Sequence, residues 1–132
     1  MRFAAYLFFL LPWYVLAGCG PTPPVTHVVT GTITFDGEPV ADGEIKFIPQ
    51  DKVRGLDAGP IKGGKFSVAV KDGKHTVAIT GGKMTPFPPG KKGLHGETEM
   101  MRNFIPEKYN EHSELTAEVA GPKELNFELK SK

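Results

Sequence analysis

The 132-residue chain has one cysteine, Cys19, so no disulfide can close within it. Neither charge is in excess, with 16 basic side chains against 15 acidic ones. That balance lacks the basic footprint of a nucleic-acid binder and the acidic block of a disordered tail. Beyond the N-terminal apolar run, no stretch of a helix's length sustains a 3.6-residue hydrophobic period, which excludes a helical bundle. There is no Gly-x-Ser-x-Gly elbow for a serine nucleophile. Gly90-Lys91-Lys92-Gly93 is not a phosphate-cradling loop, because its second glycine follows the lysines. His27, His75, His95 and His112 stand apart from one another and from other ligands at close metal spacing. No internal repeat is visible.

What is present begins at the N-terminus. Met1-Arg2 gives a positive start, Phe3 to Leu16 is an apolar run, and Leu16-Ala17-Gly18-Cys19 places small residues directly before the cysteine. The run is short for a spanning helix of about 20 residues, so an export signal is the better reading. The tetrapeptide resembles a bacterial lipoprotein signal, with a plain secretory signal or an uncleaved anchor as the alternatives. The resemblance implies cleavage between Gly18 and Cys19 and lipidation of the Cys19 sulfur, whose thiolate is a strong nucleophile. Gly20 to Val25, with three prolines, reads as an extended spacer. The expected organisation is a signal peptide over 1–18, a lipidated cysteine and Pro-rich tether over 19–25, and one domain over 26–132.

Within that domain alternation has period two. Val29, Gly31, Ile33 and Phe35 share one face of a strand over 26–35, and Asp36-Gly37 signals a turn. Ile45 and Phe47 point inward from 44–48. A strand over 58–62 is confined to an edge by Pro60. Gly63-Gly64 turns the chain, Phe66, Val68 and Val70 share a face, and Asp72-Gly73 turns again. His75, Val77 and Ile79 align next, then Leu115, Ala117 and Val119, and, after Gly121-Pro122, Leu125, Phe127 and Leu129. Phe35, Phe47, Phe66, Val77 and Phe127 are expected in the core. Abundant glycine (16) and proline (12) fall between these segments. The expectation is an all-β, antiparallel seven-stranded β-sandwich, Ig-like in architecture, with a long loop over 81–103.

Gly31-x-Ile33, Asp36-Gly37-x-Pro39-Val40-x-x-Gly43-x-Ile45-x-Phe47, Gly64-Lys65-Phe66 and Gly73-x-His75-x-Val77-x-Ile79 together resemble the carboxypeptidase regulatory-like domain. The stretch Phe104-Ile105-Pro106-Glu107-Lys108-Tyr109-Asn110 is similar to the C-terminal part of small bacterial lipoproteins that carry this domain. The resemblance implies a transthyretin-like (prealbumin-type) sandwich. His75 stands where that family usually has Tyr or Phe, and a histidine turned inward needs a hydrogen-bond partner or a place near the sheet end. The ureide hydrolase of the same fold has a C-terminal Tyr-Arg-Gly-Ser-type motif, whereas this chain ends Leu129-Lys130-Ser131-Lys132, so no catalytic residue is assigned and no enzyme activity is expected.

The expected function is a membrane-anchored envelope lipoprotein whose sandwich binds or supports an envelope protein or polysaccharide. No cofactor or nucleic acid is expected. Gly20 in place of an aspartate after the cysteine favours the outer over the inner membrane. Recognition is expected on the long loop and its flank, through Phe87, Lys91, Lys92, Leu94 and Phe104. An alternative is a periplasmic soft-metal carrier, because Met84, His95, Met100 and Met101 fall in the same loop and suit copper.

Overall fold

The computed structural model describes residues 18–132, so all but the last residue of the signal peptide expected over 1–18 lies outside the described residues. Nine strands form: β1 (Thr26–Phe35), β2 (Glu38–Pro39), β3 (Asp42–Pro49), β4 (Asp57–Lys62), β5 (Lys65–Lys71), β6 (Gly73–Pro86), β7 (Glu99–Asn103), β8 (Thr116–Val119) and β9 (Lys123–Leu129). A single 3₁₀ turn spans Glu107–Tyr109, and there is no α-helix among the described residues. The described residues are all-β.

Two hairpins follow from local backbone chemistry. Asp36 and Gly37 have φ of 49° and 85°, and Gly63 and Gly64 have φ of 56° and 75°. Both central residues in the left-handed region is the geometry that matches the twist of the flanking strands. These turns join β1 to β2 and β4 to β5. Asp72-Gly73 does not make a hairpin, since β5 pairs β1 while β6 pairs β3.

The sheet path runs β2-β1-β5-β4-β3-β6-β7, with β9 on β1 and β8 on β6. It curls where β4 meets β5, because those strands pair only at Ile61↔Phe66 and Lys62↔Lys65. The outer edge of β4 is otherwise unpaired, which accommodates the missing N–H of Pro60. Curling brings the inward faces of both halves onto one core. Val29 and Ile33 from β1, Phe66 and Val70 from β5, Phe47 from β3, and Val77 and Ile79 from β6 are all buried. The Phe47 and Phe66 rings lie 6.3 Å apart. Phe35 and Phe127, expected inside, are only half-buried against the rim of this core. Phe35 ends β1, and Phe127 lies on β9, which pairs only with β1.

Three expectations need correction. Among the described residues there are nine strands rather than seven. The pairing is antiparallel except for β9, which lies parallel to β1 from Val29↔Lys123 to Phe35↔Leu129. Gly121-Pro122 therefore carries the chain across from the β6 half rather than turning it into a hairpin. Third, 81–103 is not a loop. β6 continues through Pro86 and pairs with β7 from Gly82↔Asn103 to Pro86↔Glu99, so that the segment is a two-stranded arm closed by residues 87–98. Gly81-Gly82 reads as a turn in the sequence, yet it serves close approach. A Cβ on Gly81 would lie 2.8 Å from the Phe104 ring, and one on Gly82 would lie 2.5 Å from the Met101 sulfur.

His75 is fully buried near the sheet end, 6.2 Å from the Phe47 ring centroid. Its Nδ1 lies 3.0 Å from the Gly73 carbonyl, and its Nε2 has no hydrogen-bond partner among the described residues. Beside it, Asp57 accepts from the backbone N–H of Lys71 at 3.0 Å and from the Lys71 ammonium at 2.5 Å. Burial pushes the Asp57 carboxyl up, but those two bonds outweigh it and hold the pKa below the ordinary value of 3.8.

Candidate functional site

The domain has two poles. β1 leads from Thr26, which follows the Cys19–Val25 segment, to Phe35. Ten residues of strand cover about 33 Å. At the Phe35 pole, β3 begins and β6 runs on without it, since their pairing stops at Gly43↔Gly81. A cleft of about 630 Å³ opens at that parting.

Phe35 and Phe104 line its base, their rings 5.5 Å apart and edge to face. Phe104 is held there by its N–H, which donates to the Gly81 carbonyl at 3.1 Å, and by its neighbour Ile105, which is buried in the core. The Asp36-Gly37 hairpin presents Asp36 and Glu38 on one wall, and the arm presents Lys83 on the other. Asp36 accepts the Ser131 N–H at 2.9 Å. That bond, a second from the Ser131 hydroxyl and the charges of Lys108 and Lys130 keep its carboxyl below the usual range. Asp36 is thus ionised at neutral pH. The cleft combines an aromatic floor, two acids on one side and one base on the other.

The residues expected to carry recognition do not form one surface. Phe104 is half-buried at the base of the arm, on the cleft floor. Lys91, Lys92 and Leu94 are exposed in the closing segment of the arm, with Leu94 at 101%. Phe87 is half-buried, and its N–H donates to the Thr98 carbonyl at 3.0 Å. The five-residue ladder between tip and base is about 17 Å long. Asp36, Glu38 and Lys83 were invisible as site residues in the sequence. Asp36 reads there only as half of a turn, and the arm that brings Lys83 opposite it reads as a loop.

The soft-metal candidates are not gathered either. Met84 and Met101 are cross-strand partners on one face of the arm, both more than half exposed. Met100 pairs with Thr85, so it lies on the opposite face, where its sulfur is 3.4 Å from Arg102 Nε. His95 is in the closing segment, its backbone N–H donating to Glu97 Oε2. The β-strand alternation that the loop expectation omitted is what separates Met100 from Met101.

Cys19 is exposed and free, followed by Gly20–Val25 without strand or helix. The end of that segment is tied to the pole opposite the cleft, where the Val25 carbonyl accepts the Asp72 N–H at 3.0 Å.

No family model matches the chain, and no curated protein matches it. Among solved structures it is similar to a 9R-lipoxygenase from Cyanothece PCC8801, with a TM-score of 0.41 and 11% identity over 80% of this chain. The match spans 16% of the lipoxygenase chain. A likeness of that size assigns neither a fold family nor an activity.

Proposed function

We propose that the protein is a lipid-anchored envelope lipoprotein whose domain is a non-catalytic binding module. In this reading Cys19 carries the lipid, residues 1–18 are the cleaved signal, Gly20–Val25 is the tether, and 26–132 is a transthyretin-like sandwich of the carboxypeptidase regulatory-like kind. The domain faces the periplasm or the cell surface, from the outer membrane in preference to the inner, and its partner is an envelope protein or polysaccharide.

The polarity of the domain is the observation that supports this most. The segment that follows the exposed Cys19 enters β1 at one pole, and the charged, aromatic-floored cleft and the arm stand at the other. A six-residue tether reaches about 20 Å at full extension. An anchored domain can therefore hold the cleft well clear of its own membrane. The reading also uses no residue for catalysis, in keeping with a fold pattern that consists of turns and core positions.

The test is fractionation after expression in a bacterial host. The wild-type chain should stay with membranes through an alkaline wash, and Cys19→Ser should not. Two acyl chains suffice for stable anchoring where one is marginal. A serine variant that remains membrane-bound after the wash would remove Cys19 as the anchor.

A further inference from the structure

β6 has two edges, and one of them is unoccupied at the arm. On the β7 and β8 side, Val77 N–H donates to the Leu115 carbonyl at 2.8 Å, Gly81 N–H to Asn103 Oδ1 at 3.0 Å, and Phe87 N–H to the Thr98 carbonyl at 3.0 Å. Alternation then aims the N–H groups of Gly82 and Met84 at the other edge. β3 covers that edge through the Gly43↔Gly81 pair, whose flanking bond takes up the Gly82 N–H at Asp42 and leaves the Met84 N–H as the free donor. No strand among the described residues pairs with Lys83–Pro86 there, and the cleft lies directly beside it, since Gly82 and Lys83 are part of its lining. An unpaired strand edge next to a side-chain pocket is the combination that strand addition uses, with main-chain bonds for affinity and the pocket for specificity.

We propose that the free edge of β6 around Met84 binds an extended peptide segment by strand addition, seating a lysine or arginine side chain in the cleft. The aliphatic stem of that side chain would lie on Phe35 and Phe104, and its cationic group would meet Glu38 and Asp36. Charge complementarity selects this occupant. Glu38 is exposed, without a cationic partner among the described salt bridges, and Asp36 is ionised. Lys108 and Lys130 act on Asp36 but do not line the cleft, so Glu38 sets most of the preference. Lys83, on the facing wall, disfavours a second basic residue on the arm side. The proposal rests on the binding-module reading, and not on lipidation of Cys19.

The test uses the full chain purified in detergent and three fluorescent seven-residue Val/Thr peptides, with lysine, leucine or glutamate at the centre. Fluorescence anisotropy should show the lysine peptide binding at least tenfold tighter than the glutamate peptide. Glu38→Lys should weaken the lysine peptide about tenfold, and Lys83→Glu should tighten it severalfold. Met84→Pro should lose all three peptides, because it deletes the edge-facing N–H while leaving the β6–β7 bonds in place. Equal affinity for the three peptides, no binding of any, or binding indifferent to Met84→Pro would overturn the proposal. A dimer in sedimentation that Met84→Pro turns into monomer would also overturn it, by showing that a second copy of this chain takes the edge. Photo-crosslinking in the native envelope separates this from the broader reading. Capture of a partner away from the cleft leaves the binding module standing without strand addition, and capture of none from any surface removes both.

Discussion

Phe66 links the buried Phe47 ring to the half-buried Phe127 ring. It is 5% exposed, lies 6.3 Å from the Phe47 ring and 6.4 Å from the Phe127 ring, and sits at the corner where β4 turns into β5. Phe66→Ala should cost about 3–5 kcal/mol in urea unfolding, and a loss under about 1 kcal/mol would mean that the corner repacks. Asp57 gives the acid limb of stability. Its folded pKa lies below the ordinary 3.8, so its contribution is complete above that value and fades as pH falls through the lower folded value. Asp57→Asn should therefore lower stability at pH 7 and flatten the loss on acidification, measured by unfolding midpoints from pH 7 down to about pH 2. At this scale the sequence was readable wherever alternation alone decides, as at Phe47, Phe66 and Val77. It misplaced Phe35 and Phe127, because alternation tells which face a residue takes but not how near the rim its strand lies.

The arm shows why elements are harder to read than faces. Gly81-Gly82, Pro86 and the run Phe87-Pro88-Pro89-Gly90 carry every local sign of a loop. The strand survives because Phe104 and Met101 crowd against the two glycines, a contact between residues about twenty apart. The parallel placement of β9 was hidden for a similar reason, since Gly121-Pro122 looks alike in a turn and in a crossing. β1, β5 and the first half of β6 were legible, being flanked by turns whose chemistry is local. No residue from Gly82 to Asn103 is buried, so the arm contributes little to the fold that supports it. Replacing residues 83–101 with a short Gly-Ser linker should shift the thermal midpoint by only a few degrees, since shortening a flexible closure changes its entropy by about 1 kcal/mol. The same variant should lose partner capture in the envelope. A collapse of the circular dichroism signal would show that the arm braces the sheet.

For the whole molecule, the arrangement of β1 between its neighbours has a mechanical meaning. β1 spans the distance from tether to cleft, with β9 parallel along one edge and β5 antiparallel along the other. A load applied between an anchored Cys19 and a partner held at the far pole runs along β1, across the hydrogen bonds of both ladders. Those bonds must give way together instead of one at a time. Under the proposed anchoring, the domain would act as a stiff strut between membrane and partner, with Gly20–Val25 taking up the slack. Optical-tweezers attachment at positions 19 and 129 should require a higher rupture force than attachment at 73 and 119, where β8 can unzip from β6. Equal forces would mean that β1 slips free without shearing its two ladders, and a strand that slips in this way could not hold a partner against a moving membrane.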